Sequence, residues 1–352
     1  MLSLLVTPHR PIYQALPTPQ QAYLLLEALP ENTPPAGEAQ PVNLCLVLDR
    51  SGSMAGKKLQ ALKDAARQIV DRLGPADWLS VVIFDDIDPA DLVIPAGPIQ
   101  DALGVKRRID AIQERGGTHM STGMRLGLEQ LRLGQSPSRV SQMVLLTDGQ
   151  TWEDSPACLA LADRCREAGF PIQVFGLGVG EQGNWDPQLL EELARRSGGE
   201  WSVIERPEQI APLFKHTLQT VQDTAATHAQ LTLRLVQGVT VRAIWRVTPL
   251  ISRLDGGEAA ESELQLFLGD IHYNEGQALL VDLLLPARPD GVYRLAQADI
   301  VYTDPAGGQT GLRSSADVVL RFTSHADETG PLNQQMMNLG ERVVAHRLQT
   351  QA

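Results

Sequence analysis

The chain has 352 residues, of which 43% are hydrophobic, so it is long enough to bury the cores of about two domains. Its formal net charge of −12 argues against nucleic acid or an anionic membrane surface as the main partner, because both would repel an acidic protein. No apolar segment approaches the roughly 20 residues of a membrane helix, and we therefore expect no membrane insertion.

The N-terminal segment predicts one strand followed by a linker. Residues 1–14 lack a basic cluster followed by a long apolar core, so we expect no signal peptide and a cytoplasmic protein. The apolar run 22–29 lies between two prolines and predicts a strand, and the stretch 30–40, rich in Pro and Glu, predicts a linker. The three cysteines form no CxxC pair, and we interpret them as free thiols of a reducing compartment.

Short β-rich segments alternate with helical patterns between residues 41 and 226, which is typical of a parallel sheet wrapped by helices. The predicted strands are 42–48, 79–84, 142–147, 172–177 and 200–204. The predicted helices are 57–73, 101–114, 122–133, 155–168, 187–196 and 207–222. We therefore predict a doubly wound α/β domain over residues 41–226.

The hydrophobic period changes to two in the segment 227–324, which predicts a β-sandwich. Apolar residues alternate with other residues over 231–235, 239–243 and 264–268, and Gly and Asp turns separate the runs. The predicted N-terminal strand cannot be stable by itself. We therefore expect the segment 1–40 to join the sandwich, with the α/β domain inserted in it.

The last segment, residues 325–352, predicts an amphipathic helix. Five apolar residues fall near one helical face: Leu332, Met336, Leu339, Val343 and Leu348. We expect this face to dock in a groove.

Three loops with oxygen-bearing side chains are predicted at one edge of the α/β sheet. They are Asp49-Arg50-Ser51-Gly52-Ser53, Gly116-Gly117-Thr118 and Thr147-Asp148-Gly149. Open α/β sheets place their ligand sites at the carboxyl ends of the strands, so we expect the three loops to converge. Carboxylates and hydroxyls are hard oxygen ligands, which favour Mg²⁺ or Mn²⁺.

These motifs resemble the metal-ion-dependent adhesion site of the von Willebrand factor A family, in its intracellular bacterial members. That site combines a DxSxS sequence with a Thr in a second loop and an Asp in a third, and the resemblance covers roughly 42–225. It implies five metal-site residues: Asp49, Ser51, Ser53, Thr118 and Asp148. It further implies that the two serines bind the metal directly and that the two aspartates often act through water.

In the family, a carboxylate from a partner protein fills a vacant coordination position of the metal. The resemblance therefore implies a module that binds another protein through Mg²⁺, with Mn²⁺ or Ca²⁺ as alternatives, and a partner that presents an Asp or Glu. The physical chemistry agrees, because few protein charges at the metal leave it electrophilic enough to accept a carboxylate.

Two other functions remain open. A Mg²⁺-dependent phosphohydrolase also places an Asp after its first strand, but it needs a second carboxylate two residues later, where this chain has Ser51. No GxSxG, HExxH or Walker sequence indicates another enzyme, so we expect no catalysis. The other alternative is a scaffold that binds its partner without metal, through the C-terminal helix or the β-sandwich.

Three weaker patterns receive a structural interpretation. The GxGxxG sequence at 178–183, with Glu205 beyond the next strand, does not open a helix, so we interpret it as a Gly-rich loop rather than a dinucleotide site. His119 has no second imidazole at ligand spacing, which argues against zinc. Four acidic residues after strand 79–84 suggest a second cation site, but we favour a solvated loop. They are Asp85, Asp86, Asp88 and Asp91.

Overall fold

The computed structural model of the chain describes residues 1–31, 39–148, 154–177, 186–254 and 263–350. The chain divides into two compact units. The sandwich unit comprises Met1–Ala36, Ala225–Asp304 and Gln309–Ala352, and the α/β unit comprises Gly37–Thr224 and Pro305–Gly308.

The described residues form sixteen strands and seven α-helices. The strands are β1 (Leu2–Pro8), β2 (Ile12–Gln14), β3 (Gln20–Pro30), β4 (Val42–Asp49), β5 (Trp78–Phe84), β6 (Asp91–Pro98), β7 (Val140–Thr147), β8 (Ile172–Leu177), β9 (Trp201–Ile204), β10 (Thr224–Leu235), β11 (Thr240–Thr248), β12 (Ser252–Leu254), β13 (Glu263–His272), β14 (Gln277–Leu285), β15 (Gly291–Asp304) and β16 (Gln309–Thr323). The helices are α1 (Lys57–Arg72), α2 (Ala102–Asp110), α3 (Met120–Gly134), α4 (Ser155–Ala168), α5 (Pro187–Ser197), α6 (Ile210–Gln222) and α7 (Gln334–Thr350). Within the described ranges, no helix has both the length and the apolar character to cross a membrane.

A six-stranded sheet forms the centre of the α/β unit. Its order is β6-β5-β4-β7-β8-β9, and every neighbouring pair is parallel except β5 and β6. All eight residues of β4 are buried, because α1, α2 and α6 cover one face of the sheet and α3, α4 and α5 cover the other. The predicted doubly wound, mostly parallel α/β fold is confirmed.

Strand β6, which the sequence pattern did not predict, lies at the edge of this sheet and pairs antiparallel with β5. Pro95 lies inside the strand and Pro98 ends it. A proline has no N–H to donate to a ladder, which confines it to edge positions and weakens the strand signal in the sequence. The predicted helix 101–114 is also shorter than expected, because α2 ends at Asp110.

Two five-stranded sheets form the sandwich unit, with the orders β1-β3-β14-β11-β12 and β13-β10-β15-β16-β2. Leu231, Leu233 and Leu235 of β10 are buried and the residues between them are not, so the alternation in the sequence marks the inward face. The strand β3 pairs antiparallel with β14, and Leu24 lies opposite Val281. The N-terminal strand is therefore an integral part of this sandwich, together with β1 and β2, which were not predicted.

Helix α7 packs on the outer face of the sheet that contains β3, β14 and β11. Met336 and Val343 are buried there against side chains that include Leu280. Leu332 and Leu348, which were predicted on the same apolar face, are exposed. The helix therefore buries the middle of its predicted apolar face within its own unit.

This packing predicts different effects for two adjacent valines of α7. Val343 is 6% exposed and Val344 is 47% exposed. We expect Val343→Ala to lower the free energy of unfolding by about 1.5 kcal/mol, because two buried carbon atoms are lost. We expect Val344→Ala to change it by less than about 0.5 kcal/mol. Urea denaturation followed by circular dichroism measures both, and equal effects would contradict the packing.

Candidate metal centre

The DxSxS loop follows β4 at the carboxyl edge of the sheet, and neighbouring loops fix its backbone. The N–H of Arg50 donates to the carbonyl oxygen of Phe84 at 3.1 Å, and the N–H of Gly52 donates to that of Gly116 at 3.0 Å. The carbonyl oxygen of Arg50 in turn accepts the N–H of Arg115 at 2.9 Å. The loops after β4 and β5 and the loop before α3 therefore meet, as the order of the strands requires.

Asp49 joins the first loop to the third. Its side chain is fully buried, and one carboxylate oxygen accepts the N–H of Ser51 at 2.8 Å. The other oxygen accepts the hydroxyl of Thr147, the last residue of β7, at 2.7 Å. These two hydrogen bonds fix the position of the carboxylate between adjacent parallel strands.

Two of the predicted hydroxyl ligands, Ser51 and Ser53, lie in the same loop as this carboxylate. The Oγ atoms of Ser51 and Ser53 are 3.1 Å apart, with Ser51 buried and Ser53 exposed. Thr118 is half-buried and follows Gly116, whose carbonyl oxygen accepts the N–H of Gly52. The serine pair thus forms one compact oxygen group. The threonine lies on the loop whose backbone is hydrogen-bonded to the serine loop.

Asp148 is the least satisfied polar residue of the site. Its side chain is almost fully buried, and among the described residues neither carboxylate oxygen has a hydrogen-bond partner. The Nζ atom of Lys58 lies 3.9 Å from Oδ2, which is an ion-pair distance. A buried carboxylate that accepts no hydrogen bond is costly, so a cation at this position would be electrostatically favoured.

The charge of Asp148 also acts on Asp49. Burial raises the pKa of Asp49 to about 6, with the negative charge of Asp148 acting in the same direction and the donors Ser51 and Thr147 in the opposite one. Without a cation, the ionised Asp49 therefore costs stability as the pH rises through about 6. A divalent cation between these groups would remove that cost.

The donor set fits a small, hard divalent cation. The five predicted residues offer two carboxylates and three hydroxyls, all oxygen donors of the kind that Mg²⁺ accepts. Among the described residues, no three His, Cys, Asp or Glu side chains cluster as metal ligands. A zinc centre or a carboxylate cage is therefore not indicated there, whereas a site of two carboxylates with serine and threonine remains the prediction.

The acidic loop after β5 contains a buried ion-pair cluster. Asp85 is buried, and its Oδ2 accepts the Nε–H groups of Arg50 at 2.7 Å and of Arg115 at 2.8 Å. Burial alone raises the pKa of Asp85, but the N–H of Ile87 and the two guanidinium groups more than offset this and hold the pKa below its ordinary value. The prediction of a solvated loop is therefore wrong for Asp85, whereas Asp86 is exposed.

Arg50 occupies a variable position of DxSxS, and no role was predicted for it from the sequence. Its guanidinium contacts both Asp85 and Asp91, and so bonds the loop after β4 to the loop after β5. An arginine within DxSxS, followed by a cluster of aspartates after the next strand, was the available signal. The cluster acts as a support for the site, not as a second cation site.

We expect Asp85→Ala to lower the free energy of unfolding by about 3 kcal/mol, because it leaves the largely buried guanidinium of Arg50 with only an exposed partner. Asp88→Ala is the matched control, since its pair with Arg125 is exposed, and should cost less than about 1 kcal/mol. Because the pKa of Asp85 is lowered by folding, its contribution is present at neutral pH and declines below about pH 4. Urea denaturation at about pH 7 and about pH 3.5 tests both statements, and equal losses for the two variants would contradict them.

Two other predicted features have different outcomes. The GxGxxG sequence at 178–183 lies outside the described residues, and Glu205 is exposed beyond β9. His119 is half-buried and precedes α3, and its N–H donates to the carbonyl oxygen of Asp85 at 2.7 Å. The backbone of His119 thus helps to hold the second loop.

Sequence comparison identifies the α/β unit. Residues 43–215 match the von Willebrand factor type A domain. An uncharacterized protein of Synechocystis sp. is 34% identical over 278 residues, which are 78% of this chain and 64% of that protein. The human inter-alpha-trypsin inhibitor heavy chain H4 is 29% identical over 167 residues, which are 45% of this chain and 18% of that protein. The chain thus spans less than two thirds of the length of these relatives.

Two solved structures share the fold at low sequence identity. The von Willebrand factor type A protein from Catenulispora acidiphila has a TM-score of 0.76 and 20% identity, covering 96% of this chain and 78% of the other. The ArnB paralog VWA2 from Sulfolobus acidocaldarius has a TM-score of 0.53 and 15% identity, covering 92% and 76%. Residues 43–215 of the chain are therefore a domain of the von Willebrand factor type A family.

Proposed function

We propose that the chain is a protein-interaction module that uses a bound Mg²⁺ to take up a carboxylate of its partner. Von Willebrand factor A domains typically bind proteins, and this supports the class of function. One observation carries the metal dependence: Asp148 is buried beside the buried Asp49, and within the described ranges neither of its oxygens accepts a hydrogen bond. A cation would balance both charges at once.

Five residues would hold the metal, and their chemistry suits the recruitment of a partner. Ser51 and Ser53 would contribute neutral hydroxyls, and Thr118 a third, while Asp49 and Asp148 would supply the negative charge. When bound, the metal would act as a Lewis acid toward a carboxylate of the partner. Mn²⁺ and Ca²⁺ remain alternatives, because both accept oxygen ligands.

We also propose that the site binds and does not catalyse. A phosphohydrolase of this geometry needs a general acid two residues after Asp49, and the hydroxyl of Ser51 is too weak an acid for that role near neutral pH. A cytoplasmic location is a further part of the proposal. It is supported by the cysteines Cys45, Cys158 and Cys165, which are buried free thiols.

The rival function, a scaffold that binds through the C-terminal helix, finds less support. The middle of the apolar face of α7, including Met336 and Val343, is packed against the sheet of its own unit. The outward residues Met337, Val344 and Leu348 are exposed and could make apolar contacts with a partner. These three positions therefore define the substitutions that test the rival.

Mg²⁺ should stabilise the wild type and should fail to stabilise Asp148→Asn. At a free concentration of about 100 times the dissociation constant, binding adds about 2.7 kcal/mol to the free energy of unfolding. In EDTA, Asp148→Asn relieves the repulsion on Asp49 but takes the carboxylate partner from Lys58, so the readout is the change that Mg²⁺ produces within each variant. Thermal unfolding with MgCl₂ or EDTA measures this. Asp71→Asn, an exposed carboxylate of α1, is the control and should respond to Mg²⁺ like the wild type.

Capture of partners from a bacterial lysate tests the use of the metal. We expect a protein that binds the wild type in Mg²⁺ and is lost both in EDTA and with Asp148→Asn. A second variant, which combines Met337→Ser, Val344→Ser and Leu348→Ser, should still capture that protein. A partner that ignores EDTA and Asp148→Asn but is lost with the second variant would replace the metal-bridge proposal by the scaffold. Mg²⁺-dependent hydrolysis of a phosphate ester would favour the phosphohydrolase alternative instead.

A further inference from the structure

Lys58 is the basic side chain that pairs with the buried carboxylate of Asp148. Its Nζ atom is 3.9 Å from Oδ2, and its side chain is only 17% exposed. This distance is longer than a hydrogen bond. The ammonium group therefore balances part of the negative charge of Asp148 without satisfying the carboxylate oxygens, which stay available to a stronger ligand.

The start of α1 directs this side chain to the site. Gly56 precedes the helix with a φ of 76°, a conformation that favours glycine, and the first two helical residues are lysines. Lys57 is exposed, Lys58 is half-buried and Leu59 is buried in the core. The rotation of the helix thus points one lysine outward and the other toward Asp148.

Two lysines in the first turn run against the preference of a helix. The N-terminal end carries partial positive charge, so it favours acidic side chains, and α1 has none in its first turn. Nothing in the capping of α1 therefore explains a cation at position 58. The buried negative charge of Asp49 and Asp148 does explain it, because an opposite charge lowers the cost of burying carboxylates.

We infer that Lys58 is the resident counter-charge of the metal centre, balancing Asp148 when no cation is bound and opposing the cation that enters. The inference rests on the proposed function, since it assumes that the site takes Mg²⁺. Two positive charges near one carboxylate repel each other, so the ammonium weakens metal binding. The ammonium therefore lowers the affinity for Mg²⁺ and stabilises the site when no metal is bound. The fraction of the protein that holds Mg²⁺ then depends on the free Mg²⁺ concentration.

Lys58→Met removes the charge and keeps an unbranched side chain. We expect it to bind Mg²⁺ about tenfold more tightly than the wild type, since a charge about 4 Å from a carboxylate is removed. In EDTA it should unfold about 2 to 4 °C below the wild type, because Asp148 has lost its counter-charge. Titration calorimetry of metal-depleted protein measures the affinity, and thermal unfolding in EDTA measures the stability of the site without metal.

Two variants make the test specific. Lys57→Met, the exposed neighbour, should leave both quantities unchanged, and Lys58→Arg should keep both close to the wild type because the charge is retained. Equal or weaker Mg²⁺ binding by Lys58→Met would overturn the inference. If the wild type bound no Mg²⁺, the proposed metal function would fail. The unfolding midpoint in EDTA would then decide whether Lys58 balances the charge of Asp148. An unchanged midpoint for Lys58→Met would overturn that role.

Discussion

The carboxylate of Asp49, buried at the carboxyl end of the inner strand β4, accepts a hydrogen bond from its own loop and another from the end of β7. This contact fixes the first and third loops of the site against each other. It also imposes a cost, because a charge is held away from water and beside Asp148. The arginines around Asp85 hold the same edge of the sheet, and the ammonium of Lys58 pairs with the neighbouring charge of Asp148.

Much of the α/β unit could be predicted because its strands are buried on both faces. A mostly apolar run such as β4 has few alternatives once helices flank it on either side. The elements that escaped prediction lie at edges or are short, as with β6 and β2. Their residues are partly exposed, so the hydrophobic pattern that identifies a strand is weak. Pairing with a neighbour, which the local sequence does not encode, decides their conformation.

The candidate site likewise has parts that the sequence predicted and parts that it did not. The first and third loops were predictable because each follows a parallel strand, whose carboxyl end fixes the edge of the sheet it occupies. The second loop lies between α2 and α3 and was assigned to the site by the family resemblance. The contacts of Arg50 and Lys58 were not predictable, since each depends on how a neighbouring loop or helix is placed in space. The acidic loop was misjudged for Asp85 because composition describes average exposure, whereas two arginines from other loops bury this one carboxylate.

The pairing of β3 with β14 has a consequence for the order of synthesis. Leu24 of β3 lies opposite Val281 of β14. The strand β3 therefore cannot pair with β14 until the whole α/β unit has been translated. At about 5 to 20 residues per second on the ribosome, that wait lasts roughly 10 to 50 s. The strand β1, which covers one edge of β3 in the folded chain, is synthesised before it. The other edge of β3 stays unpaired until β14 is made, and an unpaired strand edge is prone to pair with other chains.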